Sequence, residues 1–234
     1  MIGIIGAMDV EVAKLKSQMT GVEITKKAGR EYVKGILNGA EVVVVQAGVG
    51  KVNAAGCTQC LIDTYHVDYV INTGIAGSLQ AKIDIGDVVL ATDAVEHDMQ
   101  AGAFGYPLGQ IPGMKVFSFE ADEALRKIAK ESCEKVNPDI HVYEGRVLTG
   151  DEFVSGDEKK KWLVDTFGGY CTEMEGAAIA HTAYLNEVPF LIVRAISDKA
   201  DNSAHEDYPT FEKKAVEHSV RLIMELAGRL QKNI

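Results

Sequence analysis

The chain is short of positive charge, of cysteine and of long apolar runs, and each shortage removes a class of function. Its 24 lysines and arginines stand against 34 aspartates and glutamates, a formal net charge of −10, and the lysines are scattered. No basic stripe is left to follow a phosphate backbone or an anionic bilayer, so neither nucleic acid nor membrane is an expected partner. No apolar run reaches the roughly 20 residues of a membrane span. Met1-Ile-Gly-Ile-Ile-Gly6 enters a strand pattern with no basic leader or cleavage motif, which gives the expectation of a cytoplasmic protein. Of the four cysteines, Cys57 and Cys60 have C-x-x-C spacing, but Cys133 and Cys171 stand too far apart to complete a structural zinc site. The pair falls inside a helical pattern and reads as small buried thiols; no metal is expected.

Several enzyme signatures are missing too. Gly3 and Gly6 do not complete G-x-G-x-x-G, which excludes a dinucleotide fold. Ala47-Gly-Val-Gly-Lys51 resembles half a phosphate-binding loop, yet Val45 and Val52 occupy the places of its first glycine and its metal-binding hydroxyl. There is no H-E-x-x-H and no G-x-S-x-G elbow. No cofactor is expected.

What is there fits one α/β domain over residues 1–234, without a linker or composition shift. A strand at 2–6 leads into a helix at about 9–19, where Val12, Leu15 and Met19 recur at helical spacing. Strands are predicted at 22–27, 30–37 and 41–46, with Asn38-Gly39 as a hairpin turn, so antiparallel strands join the sheet. Two strands end in glycine turns, at Gly48–Gly50 and Gly74–Gly77, which places both turns on a shared crevice. Residues 98–114 are glycine- and proline-rich but carry Phe104, Tyr106, Ile111 and Pro112. A loop this long and this apolar is expected to dock on a second subunit. Lys159–Lys161 reads as a solvated face, and Pro209 as the start of the final helix.

The chemistry concentrates between Cys171 and Asp198. Phe190-Leu-Ile-Val-Arg-Ala-Ile196 reads as a buried strand interrupted by one guanidinium. Desolvating Arg194 is costly unless a carboxylate and hydrogen bonds compensate; Glu175, where an extended segment runs into an alanine-rich helix, is the expected partner. Ser197-Asp198 stands at the strand's exit. Glu11, in the first turn of its helix, complements the helix dipole, but it also lies beyond the carboxyl end of the first strand, where α/β sheets open their ligand crevice. Phe153, at another strand end, reads either as core or as a ring stacked on a flat ligand. His205, in a polar loop, reads as exposed. Glu11, Glu175, Arg194 and Asp198 together suit a small-molecule reaction with one carboxylate as base and another carboxyl as acid.

Seven segments, in order, extend this reading: Ile2-Gly-Ile-Ile-Gly-Ala-Met8, Gly48-Val-Gly-Lys-Val-Asn-Ala-Ala55, Val70-Ile-Asn-Thr-Gly-Ile-Ala-Gly77, Ala103-Phe-Gly-Tyr106, Gly150-Asp-Glu-Phe153, Thr172-Glu-Met-Glu175 and Val193-Arg-Ala-Ile-Ser-Asp198. Together they resemble the 5′-methylthioadenosine/S-adenosylhomocysteine nucleosidases over nearly the full chain. The resemblance implies a nucleoside phosphorylase-like fold, a three-layer sandwich with a mixed twisted central sheet flanked by helices, working as a homodimer without a cofactor. It makes Asp198 the acid that protonates adenine N7, Glu11 the base that activates water, Glu175 the partner of the ribose hydroxyls and Arg194 the group that helps to fix that water and Glu175. It implies substrate contacts at Phe153, Val154, Met174, Ser197, Tyr208, Ile75, Gly77 and Val49, and a 5′-alkylthio pocket completed by the partner's copies of Phe104, Tyr106 and Pro112.

The match departs from the family pattern at Ile75, where serine is common, and at Val10, Met99–Ala101 and Gly176. Such changes bear on substrate preference, which keeps a nucleosidase for another adenosine or futalosine derivative as an alternative. A phosphorylase of the same fold would need arginines around the glycine turns, and none stands at 48–50 or 74–77. A non-catalytic nucleoside-binding protein is the third reading, opposed by the intact set of ionisable groups.

Overall fold

A computed structural model describes residues 1–231, so the last three positions of the expected 1–234 unit lie outside the described residues. The chain runs β1 (Ile2–Gly6), α1 (Asp9–Ser17), β2 (Thr20–Lys27), β3 (Arg30–Leu37), β4 (Ala40–Gln46), α2 (Lys51–Tyr65), β5 (Tyr69–Ser78) and β6 (Val88–Glu96). It continues through β7 (Phe119–Glu120), α3 (Glu123–Val136), β8 (Val142–Thr149), α4 (Asp157–Phe167), β9 (Cys171–Glu173), α5 (Gly176–Leu185), β10 (Phe190–Asp198) and α6 (Ala204–Gln231). The strands form one mixed sheet. β1 lies parallel between β4 and β5, and the β2–β3–β4 meander is antiparallel, turned at Asn38-Gly39 as the sequence predicts. Helices α1 and α3 each pack on α6 and on the sheet, while α2 and α5 pair elsewhere against it. The expected mixed α/β architecture is therefore observed, and among the described residues no helix is long and apolar enough to cross a membrane.

The sheet also closes on itself, which the strand pattern does not disclose. β10 pairs with both β5 and β6, β6 with β8, β8 with β9, and β9 back with β5. Strands in such a ring have no free edge and are covered on both sides, and every residue of β10 is buried. The ring brings the ends of β1, β5, β9 and β10 to one place. At its exit the β10–β5 register shifts between Ile196 and Asp198, a bulge of the kind that re-aims side chains next to functional sites.

Three expectations need correction. Gly74–Gly77 is not a turn that ends its strand but lies within β5, which runs on to Ser78. The final helix begins at Ala204, not at Pro209, which lies inside it; Pro209 omits one backbone bond there rather than marking the start. His205 and Tyr208 are consequently three apart on one helical face. The lysine run is not uniformly solvated either: Lys160 is only part-exposed and donates to the Lys199 carbonyl at 2.5 Å.

Candidate active site

Where these strand ends converge, a cavity of about 330 Å³ opens, within the range of small-molecule sites. Its floor is built around Arg194, 1% exposed. Arg194 pairs across the sheet with Gly74 of β5, and a Cβ at Gly74 would collide with both the Arg194 guanidinium and the Glu11 carboxylate. Glycine here is what allows the two charges to meet over the strand.

The carboxylate that the sequence predicts beside Arg194 is present, but it is the farther of two. Nη2 pairs with Glu173 and donates to Asn72, while Glu175 lies at 3.8 Å. Nη1 donates to the Ile75 carbonyl at 3.4 Å. Asn72 in turn donates to the Ile5 carbonyl at 3.0 Å, which ties the arginine to β1. Sequence reasoning misses both residues, although a buried asparagine inside Tyr-Val-Ile-Asn-Thr raises the same question as Arg194 and could be paired with it.

Glu11 is held by backbone. One oxygen accepts from the Ala7 and Met8 N–H groups at 2.7 and 2.9 Å, the other from the Ile75 N–H at 3.2 Å. Burial raises its pKa, and Arg194 and these three N–H groups only partly oppose that. Glu175 accepts from the Gly50 N–H at 2.9 Å. Burial first, then the neighbouring Glu173 charge, push its carboxyl up to about 7 against the pull of Arg194. The Gly48–Gly50 turn that supplies this N–H is braced from outside, because the Lys51 N–H donates to Asp151 at 2.9 Å and Lys51 Nζ to Asp98 at 2.7 Å.

Asp198 sits apart from this cluster. Gly77, whose Cβ would press on the Asp198 carboxylate, is three residues beyond Gly74, about 10 Å along an extended strand. The Ala200 N–H and the Ser197 hydroxyl each donate to Asp198 at 2.8 Å. Burial raises its pKa despite them, and Asp207 and Asp201 add to the rise. Phe153, 43% exposed, stands over this region edge-on to Tyr208 at 5.7 Å and 5.6 Å from His205.

The fold thus gathers Glu11, Glu175, Arg194, Asp198, Phe153, Met174, Ser197, Tyr208, Ile75, Gly77 and Val49 on one cavity, and adds Glu173 and His205. Val154 is close by but buries its side chain with Leu163 and Phe167. Phe104, Tyr106 and Pro112 stay outside, on an exposed loop ordered by the Gln110 amide, which donates to the carbonyls of Ile111, Met114 and Val116. One arginine that sequence reasoning overlooks does reach the first glycine turn: Arg30 donates to Ala47, Ala28 and Asn53. Its donors are taken by protein acceptors, and it does not line the cavity.

Comparison with known proteins meets this geometry. The family described as "Phosphorylase superfamily" matches residues 1–227. A protein of Geobacillus sp. (strain WCH70) named 5′-methylthioadenosine/S-adenosylhomocysteine nucleosidase is 40% identical over 232 residues, 99% of each chain. A nucleosidase of the same name from Colwellia psychrerythraea 34H, solved in complex with adenine, superposes with a TM-score of 0.94 at 37% identity, covering 98% of this chain and 95% of that one. A futalosine hydrolase of Helicobacter pylori superposes with a TM-score of 0.91 at 33% identity over 97% of both chains.

Proposed function

Because this chain belongs to the phosphorylase superfamily and, within it, to the 5′-methylthioadenosine/S-adenosylhomocysteine nucleosidases, we propose that it hydrolyses the N-glycosidic bond of those two nucleosides. The observation that carries the reading is the pair of unlike carboxyl sites on one cavity, one organised by a cation and one without it. In the proposed reaction Asp198 gives its proton to adenine N7 as the bond from C1′ to N9 breaks, so the base leaves neutral. A carboxyl whose burial raises its pKa keeps that proton closer to neutral pH. Water adds to C1′ and its proton passes to Glu11, which the same burial makes a stronger base. Glu175 accepts from the ribose hydroxyls and offsets the positive charge that develops on the sugar. Arg194, 3.8 Å from Glu175, steadies that carboxylate from a distance and helps to hold the water, and Phe153 stacks on the base. The products are adenine and a 5-thio-substituted ribose.

The whole chain acts here as one catalytic domain in the cytoplasm, paired as a homodimer. Phe104 and Val52, each 84% exposed, are apolar surface that such a pairing would cover. The likeness to a futalosine hydrolase favours a second substrate reading, in which the group at C5′ differs. One assay separates the readings: methylthioadenosine, adenosylhomocysteine and futalosine-type nucleosides are supplied with and without phosphate, and the released base is resolved. Adenine from the thio-nucleosides without phosphate is expected. A strict phosphate requirement, or tight binding with no base released over hours, would sink the hydrolase.

A further inference from the structure

Glu173 has no task in that chemistry, yet it is the most firmly held carboxyl on the cavity. Its side chain is 2% exposed. One oxygen accepts from the Thr149 hydroxyl, which itself accepts from the Ala177 N–H at 2.7 Å. The other accepts from the Glu175 and Gly176 N–H groups at 3.1 and 2.7 Å and pairs with Arg194. Three successive donors at the start of α5 are therefore tied to Glu173 directly or through Thr149. Glu175 immediately precedes that helix, and its own carboxylate stands 3.8 Å from the same Arg194 nitrogen. Two carboxylates compete for one guanidinium nitrogen, and Glu173 has the nearer place.

We propose that Glu173 is a positioning residue for Glu175: by occupying Arg194 and clamping the start of α5, it prevents Glu175 from closing onto the arginine and leaves that carboxylate free for the sugar hydroxyls. The inference rests on the reading of Glu175 as the ribose-facing group. The physical ground is that a carboxylate engaged by a guanidinium spends its acceptor sites on it. Four groups face Glu175: Glu173 from β9, Glu11 from α1, Arg194 from β10 and the Gly50 N–H at the start of α2. Of these, only the first two are like charges, and Glu173 has the larger effect.

Glu173→Gln keeps the shape and removes the charge. Arg194 then turns to Glu175. The acid limb of the kcat/KM profile for methylthioadenosine should move down by about one pH unit, and KM should rise about tenfold, the cost of roughly one lost charge-assisted hydrogen bond. Glu173→Asp, which keeps the charge, should return the limb toward its original position. A Glu173→Gln enzyme with an unmoved limb and unchanged KM overturns the proposal, whatever happens to its Tm. A second measurement does not need turnover: 13C NMR of glutamate-labelled protein should show one carboxyl titrating near neutral pH, absent in Glu175→Gln and displaced downward in Glu173→Gln. If that signal stays in place in Glu173→Gln, the inference fails. If the unmodified protein releases no base from any nucleoside, the proposed function fails, while the titration still reads the effect of Glu173 on Glu175.

Discussion

The cavity has two ends built from the same functional group in opposite settings. At one, Glu11, Glu173 and Glu175 crowd a single buried guanidinium; at the other, Asp198 has a hydroxyl, a backbone N–H and no cation. Burial raises the carboxyls at both ends, but at the crowded end neighbouring charges then act strongly on that rise: Glu173 and Glu11 add to it at Glu175, and Arg194 opposes it. At the lone end Ser197 and Ala200 moderate the rise, and Asp207 and Asp201 reinforce it from a distance. A chain that needs an acid and a base of similar intrinsic strength can separate them in this way, with both sites raised by solvent exclusion and only one of them adjusted further by a buried cation and like charges.

The sharpest way to break this contrast is to remove the proton from each end separately. Asp198→Asn should bind nucleoside but lower kcat by about 10²–10⁴-fold, the usual worth of a general acid, and should erase the basic limb of the pH profile. Glu11→Gln should cost a similar factor and leave the basic limb in place, removing from the acid limb the part set by Glu11 and keeping the part set by Glu175. Identical pH profiles for the two variants, or an unchanged kcat in Asp198→Asn, would show that the ends do not divide the work.

A smaller effect tests whether neighbours govern the crowded end. The Glu175 carboxyl sits at about 7 in the folded protein against an ordinary 4.5. A raised carboxyl favours the folded state at low pH: its contribution is complete below the ordinary value and is lost as pH rises through the folded one. Folding stability should therefore fall by about 2–3 kcal/mol between pH 5 and pH 8 on account of this group. Urea unfolding of Glu175→Gln should show that part of the slope removed. Parallel curves for the two proteins would mean that Glu175 keeps an ordinary pKa and that the like charge beside it is compensated by Arg194.

Much of this is legible in the sequence. Helix and strand order follow from periodicity, and the cost of burying Arg194 is enough by itself to require a carboxylate nearby. Glu175 is legible as one such carboxylate, but the nearer one, Glu173, is not. Glu173 and Glu175 are two residues apart, and only the transition from β9 into α5 decides which of them stands nearer the guanidinium. Asn72 escapes because a polar residue within an apolar strand gives no sign of the strand it will face. Ring closure through β5, β6, β8, β9 and β10 depends on pairings between strands distant in sequence, which local pattern does not encode. Sequence misplaces the start of α6 because proline is a good marker of first turns but is tolerated inside a long helix whose remaining bonds are intact. With that start goes His205, which reads as a free loop residue and lies on the cavity.

The smallest expected effect concerns the wall rather than the charges. Phe153 meets Tyr208 edge-on and lies close to His205, so the lone end is faced by rings that can bind a flat base without distinguishing ground state from transition state. Such a contact gives uniform binding, which lowers KM and leaves kcat alone. Phe153→Ala should lose about 1 kcal/mol of aromatic contact, a rise in KM of about fivefold, with kcat within about twofold of the unmodified enzyme. A tenfold or larger fall in kcat at saturating nucleoside would contradict this assignment. It would mean that the ring orients the base against Asp198, and that the lone end, like the crowded one, depends on a neighbour for its chemistry.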